Sequence, residues 1–446
     1  MSLTNFLPKN LQSGFSSVLK KCGNLPGMSL SMICAALKEL SQKNTLFICA
    51  DGFDALSLSS ELFHLAPLSD IRVFPDWETL PYDQLSPHQD IISARLKFLA
   101  DLPYVKNASL IIPLSALMSR LPPRSFLQSR SLHLKTGDHR DIQEMQRELT
   151  EQGYLKVEQV LSHGEFSCRG SIVDLFPMGS PTPYRIDFLD DEIDSLRTFD
   201  IDTQRSLTKI NEINLLPAHE FPLDDQGISA FRSNYRDAFP GANLQTHSVY
   251  QAVSRGAVPA GIEYYLPLFF AEMSSLFSYL TTECVTVLVG DVHKAAADFY
   301  AEVLKRAAEF AGNRDHPPLP PERVFITPDE LKDLLKPYEC IELCKAPLSE
   351  EEEAKRGCAN SIFSPLPDIT FDRNDKSPCA KFEGFVNDFV TKGGRILIST
   401  LTEGRRQALR DMLPSSLIAK TGIKPASSLN DFLQADAPLM LTVAAF

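Results

Sequence analysis

The chain has 446 residues, 43% hydrophobic and 23% charged, with 44 Lys+Arg against 57 Asp+Glu and a formal net charge of −13. That length predicts about three domains, and the composition is globular, which excludes a disordered or collagen-like chain. The acidic balance argues against a protein whose main task is gripping nucleic-acid phosphates over a wide surface. The longest apolar runs, around 110–117 and 262–270, are interrupted by Pro or polar residues and fall short of a membrane span. The start MSLTNFLPKN lacks the basic end and apolar core of a secretory signal. Nine cysteines are scattered without a CxxC pair, so reduced thiols and a cytoplasmic location are expected, with no membrane contact and no metal.

Along the first ~125 residues, runs at 45–50, 71–75 and 109–113 read as buried strands, and 30–40, 55–65 and 90–99 carry helical spacing. This alternation predicts a parallel sheet with crossover helices. From 128 to 216 the pattern turns β-rich: a helix over 140–152, then strand-like runs at 155–161, 171–176, 184–189, 193–200 and 211–216. Asp190 and Asp191 supply the tight turn between two of them. After Pro217 the α/β rhythm returns, with helices at 227–239 and 293–311 and strands at 284–290 and 323–327. The acidic stretch from Tyr338, including Glu350–Glu353, reads as a solvated linker. A last unit follows, with helices at 380–391 and 403–413, a strand at 395–400 and an apolar run at 439–446. The predicted division is therefore 1–127, a β-rich insert at 128–216, a completing segment at 217–337, a linker at 338–353, and a small α/β unit at 354–446. That last unit is expected to be cut near its C-terminus, since the sequence stops within an apolar run.

An α/β chain invites a search for a phosphate loop. The nearest match to GxxxxGK[ST] is Gly23-Asn24-Leu25-Pro26-Gly27-Met28-Ser29. Met28 stands where Lys would reach the β- and γ-phosphates, and Pro26 removes a donor N–H. An ordinary loop before a helix is the competing reading. No acidic pair after an apolar strand makes a convincing Walker B and helicase box, and neither GxSxG nor HExxH occurs. His88, next to Asp90, reads as a helix cap, and Cys340 and Cys344 as core thiols. The most unusual chemistry lies in the insert, in Gly164–Gly170, Asp174–Ser180 and Tyr184–Ile193. There Tyr184, Ile186 and Phe188 share one strand face, and Arg185, Asp187 and Leu189 the other. Arginine beside an apolar anchor suits a protein interface. An internal salt-bridge lattice, such as Arg185 with Asp174 or Asp187, fits the same residues.

The runs 74–83 (FPDWETLPYD) and 86–93 (SPHQDIIS), with Gly164–Gly170, Asp174–Ser180, Arg185–Asp200, 204–206, 259–264 and 403–406, resemble the N-terminal region of the bacterial transcription-repair coupling factor (Mfd) family. The resemblance covers essentially the whole chain. It implies a fold like the excision-repair protein UvrB: a RecA-like parallel-sheet domain 1 with a degenerate P-loop (Gly23, Gly27, Met28, Ser29), interrupted by a β-rich α+β domain 2, then a small α/β domain 3. It also implies that domain 2 recruits UvrA through Arg169, Arg185, Phe188 and Leu189, with Glu165, Phe166, Asp191 and Glu192 at the rim. In the family a second aromatic often stands where this chain has Leu189. ATP and magnesium, the DNA translocase, and the contacts with RNA polymerase and upstream double-stranded DNA are implied to lie in C-terminal domains absent here. One such domain is implied to mask the UvrA-binding surface. The expectation is thus a non-enzymatic adaptor without cofactor. The alternatives are a UvrB/helicase-like ATPase, or a damaged-DNA binder using the basic stretch Arg120, Arg124, Arg130 and Lys135.

Overall fold

The computed structural model describes residues 19–241, 244–246, 248–280, 283–371 and 377–444. The start of the first predicted unit and the end of the last apolar run, Phe446 included, lie outside them. The chain opens with strand β1 (Lys21–Gly23), helix α1 (Ser29–Ser41), β2 (Asn44–Cys49), α2 (Gly52–Leu65), β3 (Asp70–Val73), α3 (Gln89–Asp101) and β4 (Ala108–Pro113). β2 and β4 are buried at every position, as continuous apolar strands covered on both faces must be.

The insert contributes β5 (Leu132–Lys135), a helix (Ile142–Glu151), β6 (Leu155–Lys156), β7 (Glu165–Arg169), β8 (Ile172–Phe176), β9 (Tyr184–Leu189), β10 (Glu192–Phe199), β11 (Ser206–Ile210) and β12 (Glu212–Leu215). Six of these strands form a sheet in the order β11-β10-β9-β8-β7-β6, and β5 pairs with β12 in a separate two-stranded neck. The predicted strand at 155–161 is only two residues long. The chain leaves the sheet at Val157, and Val160 instead buries itself with Phe176 and Phe199 on the sheet's outer face. Asp190 takes φ 55° in the β9–β10 turn, the left-handed geometry a tight hairpin requires.

β13 (Cys284–Val289), β14 (Cys340–Leu343) and β15 (Cys358–Asn360) return to the first sheet, whose order is β15-β1-β14-β13-β2-β4-β3. Its ladders are parallel. This corrects two expectations. The segment 338–353 is not a free linker, because β14 inserts between β1 and β13, and β15 carries the first sheet past residue 354. Residues 323–327 form no strand. Pro321, with its fixed φ, starts a helical turn at Pro321–Val324, and Phe325 makes only an isolated bridge to Ser119. The last unit holds a three-stranded parallel sheet, β16 (Ile396–Thr400), β17 (Lys424–Pro425) and β18 (Leu439–Val443), in the order β16-β18-β17.

Helix α3 joins the first unit to the insert. Its N-cap His88 accepts from Asp90 N, as its position predicts. Asp90 Oδ1 lies 2.7 Å from His163 Nδ1, and Ser93 Oγ accepts from Gly179 N at 2.8 Å. Arg95, fully buried, meets buried Glu220 through Nε–Oε1 at 2.8 Å and donates to Pro75 O at 2.8 Å. Trp77 Nε1 donates to the second Glu220 oxygen at 3.3 Å, and the Arg95 guanidinium lies 4.4 Å and 4.9 Å from the Phe74 and Trp77 ring centroids. The distinctive sequence at 74–93 therefore ties the first unit to its completing segment through Glu220 and to the insert through Asp90 and Ser93.

Candidate partner-docking face

On antiparallel strands alternation separates the faces. Phe166, Val173, Leu175, Ile186, Phe188, Ile193 and Leu196 point into the main core. The opposite face carries a polar row fixed by register: Ser167 opposite Asp174, Asp174 opposite Arg185, Arg185 opposite Arg197, and Arg197 opposite Lys209. Asp174 is its centre, with a side chain only 2% exposed. Arg185 holds it in a fork, Nε to Oδ1 at 2.7 Å and Nη2 to Oδ2 at 2.9 Å. Such bidentate pairing is the strong, geometrically specific form. Arg169 Nη2 reaches the same Oδ2 at 3.1 Å. The Asp174 hydrogen bond raises the Arg185 pKa further above its ordinary value. Arg185 Nη1 is also used, toward Gln204 O at 3.3 Å and Ser206 Oγ at 3.2 Å, and its guanidinium sits 5.1 Å from the Phe199 ring centroid.

The predicted contact residues therefore separate. Arg169 is 59% exposed and has one intramolecular bond to Asp174, whereas Arg185 is 17% exposed and internally bonded. Leu189 is 66% exposed at the hairpin end, beside exposed Asp191 and Glu192. Glu165 is tied inward, its Oε2 accepting from Leu161 N at 2.8 Å and Ser162 N at 2.9 Å. Phe166 and Phe188 are buried and cannot be surface contacts as placed, which corrects that expectation. Both lie on the strand face that packs on the core. Arg197 and Lys209 were not singled out from sequence, although the alternation of β10 and β11 carries the signal.

The second predicted site, Gly23–Ser29, has strand–loop–helix form, with Met28 at the N-cap of α1 and no side-chain cap bond there. Its donors point at its own chain. Asn24 N donates to Ala346 O at 2.9 Å and Leu25 N to Lys345 O at 3.1 Å. Asn24 Nδ2 donates to Phe363 O at 2.8 Å, and Ser361 Oγ donates to Asn24 O. A Cβ on Gly23 would lie 2.7 Å from Leu348 Cγ. The residues present do not fit a triphosphate: the cation is missing, and two N–H groups that would turn to phosphate are already engaged. Three of the four cations of the basic stretch are likewise paired. Arg120 forks Glu330 at 2.9 Å and 2.7 Å, Arg130 pairs with Asp224, and Lys135 lies 3.5 Å from Glu212.

The fold defines a class: an α/β scaffold interrupted by an inserted β-rich domain. The UvrB interaction domain family matches residues 132–221, from β5 to just past Glu220. Over 395 residues, 88% of this chain, it is 42% identical to the transcription-repair-coupling factor of Haemophilus influenzae. Over 410 residues, 92% of this chain, it is 40% identical to that of Escherichia coli. The Rickettsia bellii protein of the same name is 32% identical over 66% of this chain. The chain is thus related along most of its length to the N-terminal region of the transcription-repair-coupling factors. It spans about a third of the length of the first two, 34% and 35%.

Proposed function

We propose that this chain is the recruiting portion of a transcription-repair-coupling factor and that the outer face of its six-stranded sheet docks UvrA. The observation that carries this reading is the trio Arg169–Asp174–Arg185 inside the matched interaction domain. A buried carboxylate there orients two guanidiniums, one of them exposed, beside the open apolar side chain of Leu189. Arg169 supplies forked donors for a partner carboxylate, and Leu189 the apolar contact. Arg185, Arg197 and Lys209 extend the positive row. ATP-driven translocation along DNA and the RNA polymerase contact are assigned to the two-thirds of the relatives' length that this chain does not span. By this reading the chain is a non-catalytic adaptor.

The test is calorimetry of UvrA against the wild-type chain, Arg169→Ala and Arg185→Ala. A hot-spot arginine costs about 2 kcal/mol or more, roughly a thirtyfold loss of affinity. Unchanged affinity in both variants, with folding intact, removes this face from the partner site.

A further inference from the structure

The last unit carries a charge feature that the docking reading does not use. Between Glu403 and Lys424, five cations stand against two carboxylates, in a chain whose net charge is −13. Three of the five converge. Arg406 and Arg410, one turn apart on the helix Glu403–Met412, and Lys424 at the start of β17 line a cavity of about 70 Å³. Gln407, Ile423, Pro425 and Leu441 complete its wall. That space exceeds what a single water needs and has room for a compact oxyanion, and the cavity is open to solvent. Glu403 occupies one nitrogen of Arg406. Arg410 and Lys424 form no ion pair within the described residues.

We infer that this cavity is a phosphate-binding site. Two guanidiniums offer planar forks of N–H donors and the lysine adds a point charge, the combination that suits tetrahedral oxygens. The forked donors of two guanidiniums and the lysine reach around a tetrahedral group more readily than around a flat carboxylate with only two oxygens. Ile423, Pro425 and Leu441 form the apolar side of the cavity. The phosphate can be presented free, as a terminal monoester, or as a diester of a nucleic-acid backbone; the recognition chemistry is shared.

The experiment uses the whole chain at low salt. The probes are inorganic phosphate and a fluorescent single-stranded oligonucleotide, with and without a 5′-phosphate. Expected are saturable binding of inorganic phosphate and displacement of the oligonucleotide by it. Binding weakens at least tenfold in Arg410→Glu/Lys424→Glu and stays within twofold in Lys420→Glu, a cation of the same unit outside the cavity. Both mutated cavity positions are exposed, so the fold survives, and a thermal melt of each variant checks this. A preference for the 5′-phosphorylated strand identifies a terminal monoester as the source, and equal binding of the two strands identifies the backbone. Absence of saturable phosphate binding, or full affinity in the double charge reversal, overturns the inference. UvrA binding is untouched by either result.

Discussion

The loop before α1 and the outer face of the inserted sheet both display groups suited to binding, and both satisfy them within the chain, but to opposite effect. At the loop, Asn24 and Leu25 give their N–H groups to carbonyls at 345 and 346, and the strap that supplies those carbonyls fills the space beside Gly23. On the sheet, Asp174 takes donors from two arginines yet leaves Arg169 largely in solvent. Self-satisfaction closes one site and sets the geometry of the other. What decides is whether the internal partner lies beneath the functional group, as Asp174 does, or on top of it, as the strap does.

The largest expected break in this contrast comes from Asp174→Ala. Removing the acid leaves two guanidiniums without their shared carboxylate, one of them mostly buried, and should cost about 4 kcal/mol in urea unfolding, with UvrA affinity falling alongside. A second carboxylate sharpens the point. Glu263 is also buried but meets a serine, Ser86 Oγ at 2.9 Å, in place of an arginine. Burial pushes its pKa up to about 7. Folding then takes up a proton between the ordinary glutamate range and about pH 7, so stability contributed there is present in acid and lost as pH rises through that window. Glu263→Gln should accordingly gain on wild type by on the order of 3 kcal/mol between pH 5 and pH 8, measured by urea titration at both.

Arg169→Ala and Arg185→Ala divide binding from folding. The exposed arginine should lose about 2 kcal/mol of UvrA affinity while stability shifts by less than about 0.5 kcal/mol. The buried one should lose about 2 kcal/mol of stability as well. Met28→Lys is the smallest. It restores the missing cation but not the engaged N–H groups, so a fluorescent ATP analogue should bind no better than to wild type. Clear saturable binding would show that the strap yields.

The sequence was informative wherever a feature is local. Continuous apolar runs marked β2, β4 and β13, and the period-two pattern grouped Tyr184, Ile186 and Phe188 on one face. The family resemblance implied Phe166 and Phe188 as contacts, but which strand face meets the core is set by partners in other strands, and both rings lie on the buried face. The run 323–327 is apolar enough for a strand, but Pro321 directs it into a helical turn. β14 and β15 are four and three residues long within an acidic stretch, and their partner β1 lies more than 300 residues earlier. No local signal reports such a pairing. Asp174 was legible as an alternative partner for Arg185, but its hold on Arg169 as well needed the hairpin register.

The clasp at α3 carries a mechanical consequence. The chain enters the insert through β5 and leaves it through β12, paired as a separate two-stranded neck, and a few residues beyond β12 the buried Glu220 pairs with Arg95 of α3. A lone tether would let a bound guest swivel. A double-railed bracket seated on a sunken ion pair resists that, so a partner docked as proposed on the outer sheet would be presented at a fixed angle, and a push on either body would arrive at the other as a turn of the whole.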